Sequence, residues 1–573
     1  MVVLNGAVLY GEKLDRRQML MLTAALASGS AVAGASRRHE DKDGPLPLFD
    51  PMQFGAKGDG KALDSPAINA AIDTCNRAGG GLVYLRPGVY RSGTVTLKSN
   101  VTLYVEAGAI ILGSLDLNDY TAMPGPPVNG DANQKHLIFA KGAENVTLAG
   151  PGRIDGQGQN FWEPSGRPQL PPEDQWADVV AHEMKKKPTG RPSPMLEFVE
   201  CRWLRIEDLR IENSPGWTMR PYNCDNVIIS GIAVKNPIFG SNTDGMDITG
   251  CQNVFVSNCS IDTGDDAICI KSEAPYGGEP RVGKNIVVTN CILTTCCNGF
   301  KLGTATEGGF ENITFSNSVI YNNDVPFKNR VISGVALEVV DGGWIDGVVV
   351  TGIQMQRTRT PIFIRFGDRK RPFHFPQQGI RGVSIENIHS SDALLASSIT
   401  GLPGMEVRDV TLSNIRVDNV LPCLPQWVGV SVPEVPKKYP EARMFGMLPA
   451  SGLYARHVRG LRLDDLVFSA TESEARPTVI FDDVIGARIT GLATTRVAGA
   501  MPIMQMVQSS DVWISGSSAP AGTAAFAGIQ GSSSANILLS GNDLRNAQKP
   551  VEFANSASPK AVTLTGNIEH VTA

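Results

Sequence analysis

The densest group of side chains able to do acid–base chemistry lies between Ser241 and Asp266. Asp244 sits in an Asn-Thr-Asp-Gly stretch, and Asp265 and Asp266 follow it by 21 and 22 residues. Carboxyls held close together raise one another's pKa, so one can stay protonated while another is ionised. Hydrolysis of a glycosidic bond needs both states, an acid for the leaving oxygen and a base for water. Both stretches are also good turn sequences, so the acid–base interpretation depends on the elements that bring them together.

A short repeated pattern of five residues indicates those elements: an apolar residue, any residue, an apolar residue, any residue, and then Asn, Asp or Gly. After Leu204 its copies follow one another at intervals of 23 to 51 residues, most of them between 23 and 35. The local period of two predicts short strands. Strands repeating at about 25 residues indicate a parallel β-helix, whereas a propeller blade needs about 40–50. We therefore expect an all-β fold in which Asp244 and the Asp265–Asp266 pair lie on neighbouring coils.

The segment before the repeat predicts a capping helix. Residues Ser65 to Ala78 have a helical pattern with Ser65 near the N-cap, and the glycines 79–81 follow. A β-helix exposes unpaired strand edges at its open end, and this helix is expected to cover them. Four later stretches interrupt the repeat and are expected to form loops that shape a binding cleft. They are Gly156–Pro194, Asn322–Arg330, Asp368–Gln378 and Leu421–Pro449.

Ten cysteines in a chain that is predicted to be exported would normally indicate disulfides, but their placement argues for another arrangement. Cys224 and Cys251 precede their repeats by equal offsets, and Cys259 and Cys291 follow theirs by equal offsets, so each pair should stack in adjacent coils. Such ladders are more often buried free thiols than disulfides, although spacing alone leaves a bridge open. No pair of C-x-x-C motifs is present, so we expect no metal site.

The N-terminus predicts an export signal. Arg16-Arg17 precede an apolar run from Met19 to Ala33, which ends in small residues. We assign residues 1–35 to a twin-arginine signal peptide, 36–47 to a linker and 48–573 to one β-helix domain. The product would be periplasmic or extracellular, with no membrane contact after signal removal. A membrane anchor is the alternative, but the run is shorter than the ~20 residues of a span. A net charge of −5 argues against a nucleic-acid partner.

Four motifs resemble the signature of the polygalacturonases, glycoside hydrolase family 28. They are Asn213-Ser-Pro-Gly-Trp217, Asn242-Thr-Asp-Gly245, Thr263-Gly-Asp-Asp266 and Ile270-Lys-Ser272. The resemblance extends over about residues 48–371. It implies a right-handed parallel β-helix of the pectin-lyase-like type, a catalytic region at about 195–375, no cofactor and an inverting mechanism on a polysaccharide. By the same resemblance Asp265 is the general acid, and Asp244 and Asp266 activate the water.

Two departures from the family pattern bear on the substrate. Asn298 stands where a Gly-His-Gly histidine is usual, and Ala336-Leu-Glu338 replaces an Arg-Ile-Lys that holds a galacturonate carboxylate. A like charge at Glu338 would repel that carboxylate, so a sugar other than plain polygalacturonate is expected. Arg220, Arg365 and Arg369 are the candidate cations that would compensate for the lost Arg-Ile-Lys pattern. The full set of predicted substrate-binding residues is Asn242, Lys271, Asn298, Arg220, Glu338, Arg365 and Arg369.

Two other functions remain open on the sequence. A polysaccharide lyase on the same scaffold would need Ca²⁺ and a basic residue to take a proton. A non-catalytic glycan-binding β-helix would explain the lost histidine and lysine. Nothing in the sequence specifies an oligomeric state.

Overall fold

The computed structural model describes residues 3–4, 7–8, 47–123, 134–167, 184–274, 278–322, 331–369, 378–471, 474–495 and 501–569. The chain divides into two units, residues 1–46 and 47–573. In the first unit, Val3–Leu4 pairs antiparallel with Ala7–Val8. The rest of the predicted signal peptide and almost all of the linker lie outside the described residues. No helix in the described part of the chain is both long and apolar enough to span a membrane.

Residues 47–573 wind into a right-handed parallel β-helix, which confirms the predicted fold. Successive copies of the repeat pair directly: Val227 lies between Leu204 and Val254 in a parallel register. Each coil therefore hydrogen-bonds to the coil before it and the coil after it. The apolar residues at alternate positions point inward and form one continuous core along the axis.

Three columns of strands, which we name sheets A, B and C, make the faces of the solenoid. Sheet A holds Val95–Thr96, Ile138–Lys141, Leu196–Val199, Met219–Tyr222, Met246–Thr249, Ile268–Ser272, Asn298–Thr306, Val331–Val339, Thr358–Phe366, Ser397–Thr400, Met504–Val507, Thr523–Gln530 and Ala547–Ala554. Sheet B holds Leu48–Phe49, Gly81–Leu85, Val101–Val105, Glu144–Ala149, Arg202–Glu207, Asp225–Ser230, Gln252–Ser257, Gly283–Thr289, Ser510–Ser515, Ala535–Ser540 and Val562–Thr565. Sheet C holds Asp59–Leu63, Gly88–Ser92, Ala109–Gly113, Arg153–Asp155, Arg210–Glu212, Ala233–Lys235, Ser260–Thr263 and Ile292–Thr295.

Longer strands pass from one sheet to the next in the later coils. They are Gly309–Tyr321, Trp344–Gln356, Gly379–Ala393, Val407–Asn419, Leu453–Ala470 and Val479–Thr494. Outside the coils, Trp162–Pro164 pairs antiparallel with Met184–Lys186. Short 3₁₀ turns occupy Pro51–Phe54, Leu117–Asp119, Gly158–Phe161, Pro425–Trp427 and Pro559–Ala561.

The Asn residue that ends many repeats adopts the left-handed conformation, as its residue type predicts. The φ angles of Asn258, Asn290 and Asn317 are 57°, 55° and 47°. A further Asn ladder follows one corner: the amide of Asn285 donates to Asn253 at 2.9 Å. These turns fix where one sheet ends and the next begins.

A single α-helix in the described chain, α1 (Ser65–Arg77), packs its apolar face on the N-terminal coils. Ile68, Ala71 and Ile72 are fully buried in the core. The N-cap is Asp64 rather than the predicted Ser65. The Asp64 carboxylate accepts the backbone amides of residues 57 and 58, so it ties the preceding turn to the helix start.

All ten cysteines are free. The backbone amide of Cys201 donates to the Cys224 sulfur at 3.3 Å, and that of Cys224 to the Cys251 sulfur at 3.3 Å. The predicted stacking of Cys224 and Cys251 is therefore present as a ladder of buried thiols, extended by Cys201.

Candidate active site

The predicted carboxylates lie in the turns that lead into two adjacent strands of sheet A. Asp244 precedes Met246–Thr249, and Asp265 and Asp266 precede Ile268–Ser272; these strands pair in register. The amide of Gly245 donates to the Asp266 carbonyl at 2.9 Å. The spacing of about one coil thus brings both acidic motifs to the same edge of sheet A.

Asp265 is half-buried and is held by the backbone. One carboxylate oxygen accepts the amide of Asn242 at 2.8 Å and the other accepts the amide of Asp266 at 2.9 Å. Burial and the charge of Asp266 raise the pKa of Asp265, against the opposing effect of these amides. Asp265 is therefore the carboxyl of this pair that more readily keeps a proton.

Asp266 has a different environment one residue away. Its Oδ1 accepts the backbone amide of Asn298 at 3.1 Å and the Asn298 side-chain amide at 2.7 Å. Its Oδ2 lies 3.1 Å from the Lys301 ammonium. Burial alone would raise the pKa of Asp266, but Lys301 and Asn298 outweigh it and lower that pKa. Asp266 is therefore held ionised.

Asp244 shares a buried pocket with Asp247, Lys271 and Trp217. The Lys271 ammonium lies 2.5 Å from Asp247, 3.9 Å from Asp244 and 3.6 Å from the Trp217 ring centroid. Burial, followed by the charges of Asp247 and Asp265, raises the pKa of Asp244 well above its usual range. Burial raises the pKa of Asp247 to about 6, although Lys271 opposes this.

Glu338 is completely buried beside Lys301. Its Oε2 lies 3.8 Å from the Lys301 ammonium. Burial, only partly offset by Lys301, raises the pKa of Glu338 to about 8. The Thr304 hydroxyl, beside Glu338, donates to the Tyr439 hydroxyl at 2.8 Å. The Glu338 side chain is therefore enclosed by protein groups and not exposed to solvent.

The three arginines that were predicted to meet substrate are held by protein groups. Arg220 is fully buried and forms a bidentate pair with Glu197, with its closest contact at 2.6 Å. Arg365 donates to the carbonyls of Gly401 and Glu434 at 3.0 and 2.8 Å. Arg369, the most accessible of the three, pairs with Asp341 at 2.5 Å. The guanidinium groups of Arg220 and Arg365 are therefore used in contacts that hold the scaffold together.

The predicted insertion Leu421–Pro449 packs on the outer face of sheet A beyond the carboxylates. A second apolar cluster joins it to the coils; its buried members are Ile332, Ala336, Phe363, Ala396, Ala442, Met444, Phe445, Leu448, Ala450, Tyr454 and Ile480. Tyr439 in this insertion is 56% exposed as a residue, and its hydroxyl accepts a hydrogen bond from Thr304. The insertion thus forms one end of the cleft.

On the other side of the carboxylates, the insertion Gly156–Pro194 contributes Trp162 and Arg191. The Arg191 guanidinium lies 4.9 Å from the Trp162 ring centroid and donates to the carbonyls of Pro215 and Ser241. Ser241 directly precedes Asn242, so this arginine fixes the loop that carries Asn242 and Asp244. The lysine run 185–187 lies in the same insertion, and Lys185 pairs with Glu163.

Asp265, Asp266 and Cys297 place one oxygen or sulfur each within 4.8 Å of one another. The Asp266 oxygens are already bound by Asn298 and Lys301, and those of Asp265 by two amides. Burial holds the pKa of the Cys297 thiol well above its usual range, which disfavours the thiolate that metals bind. We assign no metal to this group.

Sequence reasoning missed Lys301, Asp247 and Tyr439. The strand register could have revealed Lys301, because Lys301 pairs with Cys269, which pairs with Asp247. Lys301, Cys269 and Asp247 therefore form one outward-facing row of sheet A, each one coil from the next. A charged residue at an outward position beside the acidic turns is thus recognisable once the coils are aligned. Tyr439 offers no such signal because it lies in an irregular loop.

A family model for glycosyl hydrolases family 28 matches residues 88–422. A probable polygalacturonase of Vitis vinifera is 25% identical over 388 residues, covering 64% of this chain and 73% of the relative. An exo-poly-alpha-D-galacturonosidase of Dickeya chrysanthemi is 24% identical over 469 residues, covering 74% and 76%. The solved family 28 exopolygalacturonase of Yersinia enterocolitica superposes with a TM-score of 0.59 at 21% identity, covering 78% of this chain and 79% of that chain. This last similarity establishes the fold alone.

Proposed function

Because the chain belongs to the glycosyl hydrolases of family 28 and is a glycosidase, we propose that it cleaves a pectin-type polysaccharide by acid–base catalysis at Asp265 and Asp266. The observation that carries the proposal is the difference between these adjacent carboxyls. Asp266 is paired with Lys301, whereas Asp265 is held by backbone amides and has a pKa raised by burial and by the charge of Asp266. One acid and one base in a single cleft are what hydrolysis of a glycosidic bond requires.

Asp265 donates its proton to the leaving oxygen as the bond breaks. Asp266, already ionised, draws a proton from the attacking water. Asp244 was predicted to activate the water together with Asp266. We propose a lesser role for Asp244, because burial favours its neutral form. Asp244 then contributes by orienting the water, and its titration is coupled to that of its neighbours. Asn242 and Lys271, at the entrance to this group, are the predicted substrate contacts that we retain.

The mechanism is proposed to invert the anomeric configuration. The acid Asp265 and the base Asp266 share one turn, and Asp244 lies in the turn of the preceding coil, where we expect water to be held between the coils. In inverting enzymes the carboxyls stand about 6.5–9.5 Å apart to leave room for that water. Proton NMR of the first-formed product measures this directly. A product with retained configuration would exclude the single-displacement route.

The preferred sugar beside Lys301 and Lys271 is proposed to be neutral. The two lysines beside the carboxylates already have acidic partners, Lys271 with Asp247 and Lys301 with Asp266. Arg220 and Arg369 likewise pair with Glu197 and Asp341. A galacturonate carboxylate would have to compete with these partners. Glu338 was expected to repel a galacturonate carboxylate directly. Because Glu338 is buried beside Lys301, we propose that it affects the substrate only through its contact with that lysine. A rhamnose-containing backbone or a side chain fits better than plain polygalacturonate.

The site of action is proposed to be outside the cytoplasm. Arg16-Arg17 and the apolar run that follows support export by the twin-arginine route. A polymeric substrate, which does not enter the cell intact, is consistent with a periplasmic or extracellular enzyme.

The test is a screen for reducing ends across pectic fractions, with chromatography of the products. We expect release from a fraction rich in neutral sugars to exceed release from polygalacturonic acid. The Asp265→Asn variant should lose about 10²–10⁴ in rate while its circular dichroism is unchanged. Products that absorb in the ultraviolet would instead indicate the lyase, and binding without any product would indicate the glycan-binding alternative. Near-normal turnover by Asp265→Asn would contradict the acid assignment.

A further inference from the structure

We propose that Lys301 is a positioning residue that keeps Asp266 ionised and thereby decides which carboxyl of the cluster serves as the base. This inference rests on the proposed function and deepens it. It assigns to Lys301 a role that neither the four sequence motifs nor the missing Arg-Ile-Lys pattern indicates. The argument begins with the number of acids and cations in the cluster.

Four carboxyls crowd the edge of sheet A, and two ammonium groups lie among them. Lys271 contacts Asp247 at 2.5 Å and stays 3.9 Å from Asp244. Lys301 contacts Asp266 at 3.1 Å. In the described residues, Asp265 has backbone amides but no ammonium or guanidinium at ion-pair distance. Four adjacent carboxylates cannot all be ionised at low cost, so the two cations select which of them carry the charge.

Lys301 is suited to this selection because its position leaves it little freedom. It is 2% exposed, and it lies on the regular strand Asn298–Thr306 between Cys269 and Ala336 of the neighbouring coils. The Tyr439 ring lies 5.5 Å away on the cleft side. An ammonium with few alternative positions and little water holds a carboxylate more strongly than a surface lysine does.

The second partner of Lys301 does not neutralise it. Glu338 lies 3.8 Å away, and burial raises its pKa to about 8, so it is mostly protonated at pH 7. Burial disfavours the charge on Lys301, but Asp266 and then Glu338 hold its pKa above the usual range. The lysine therefore stays cationic with Asp266 as its closest anion.

Several other groups face Asp266 and affect its charge. Asp265 adjoins it in sequence, Lys271 lies on the strand that follows it, Asp244 and Asp247 belong to the preceding coil, and Cys297 belongs to the next turn. Glu338 and, from the insertion, Tyr439 also face it. Most of these groups are acidic or neutral, so loss of Lys301 should raise the pKa of Asp266.

The test compares the pH dependence of kcat/KM for wild type, Lys301→Met and Lys301→Arg. The acid limb of this profile reports the base of the free enzyme. In Lys301→Met we expect the limb to move to higher pH by about one unit or more, with part of the lost activity recovered above it. Lys301→Arg keeps the charge and should restore the wild-type limb. Lys284→Met is the matched control, since Lys284 pairs with Glu311 on sheet B and its sheet lies away from the site; its profile should be unchanged.

A second measurement needs no activity. We compare thermal unfolding of wild type and Lys301→Met at pH 7 and pH 4. The difference in Tm should be largest at pH 7, where the variant must bury Asp266 without its cation, and should shrink as Asp266 takes up a proton near pH 4.

The two measurements separate the two proposals. A uniform loss of kcat/KM with an unmoved acid limb, or an equal Tm difference at both pH values, would show that Lys301 is only structural and would overturn this inference. If wild type releases no reducing ends from any fraction, the proposed function fails, and the Tm comparison alone decides the role of Lys301.

Discussion

Glu338 couples the charge of the site to the stability of the fold. Its carboxyl has a pKa of about 8 in the folded protein, against an ordinary value of 4.5. The folded chain therefore holds a proton that the unfolded chain releases at lower pH. The stabilisation is complete below about pH 4.5 and is lost as the pH rises towards 8. This sign is opposite to that of Asp266, whose lowered pKa favours folding at neutral pH.

We predict that Glu338→Gln flattens this dependence. Glutamine resembles the protonated carboxyl, so the variant should match wild type near pH 5 and exceed it at pH 8. Urea unfolding at both pH values measures the difference, and an unchanged pH slope would contradict the assignment. Glu338→Lys, which would restore the lysine of the Arg-Ile-Lys pattern, should instead cost about 3–5 kcal/mol, because it buries a second cation beside Lys301. The substitution therefore tests stability more than specificity.

Among the elements, the coils and the positions of the insertions in the chain were predictable, but the surfaces that the insertions cover were not. The period-two repeat and its left-handed Asn residues are local signals, so the strands of sheets A, B and C follow from them. The stacking of Asp244 with Asp265 followed from the coil spacing. The contact between Thr304 and Tyr439 joins residues 135 apart in sequence. No local pattern specifies which surface an irregular insertion covers, and for this reason Tyr439 and the burial of Glu338 could not be inferred.

The insertion Leu421–Pro449 leads to a prediction about the mode of cleavage. It covers the outer face of sheet A from the coil of Val331–Val339 onward and is anchored by Arg365, whose guanidinium donates to the Glu434 carbonyl. We expect the insertion to prevent a long polymer from continuing through that end of the cleft. We expect short products from chain ends, so the viscosity of the polymer should fall slowly while reducing ends accumulate. A rapid fall in viscosity at low conversion would contradict a closed cleft.

In the whole molecule, each coil depends chiefly on its neighbours. The strands of sheet A pair only with the strand before and the strand after, from Ile138–Lys141 to Ala547–Ala554 in the described chain. Stability in such a solenoid is approximately a sum of coil and interface contributions. The catalytic edge near Asp265 is therefore separated by several coils from the C-terminal ones. The insertion connects the candidate site to more distant coils, because it packs against Tyr454 and Ile480.

This arrangement predicts different effects for two C-terminal truncations. A chain ending at Thr495 keeps Val479–Thr494 and every residue that supports the insertion, so its kcat/KM should stay within a few-fold of wild type. Its Tm should fall, because the new terminal coil exposes an unpaired edge. A chain ending at Ser451 loses both Tyr454 and Ile480, together with the contact from Arg456 to the Val432 carbonyl. We expect it to lose most of its activity even where circular dichroism shows that the remaining strands have formed. Initial rates on the best pectic fraction, set beside thermal unfolding of each chain, make the comparison. Equal losses in both truncations would mean that the last coils support catalysis directly, and the nearest-neighbour description of the molecule would then be wrong.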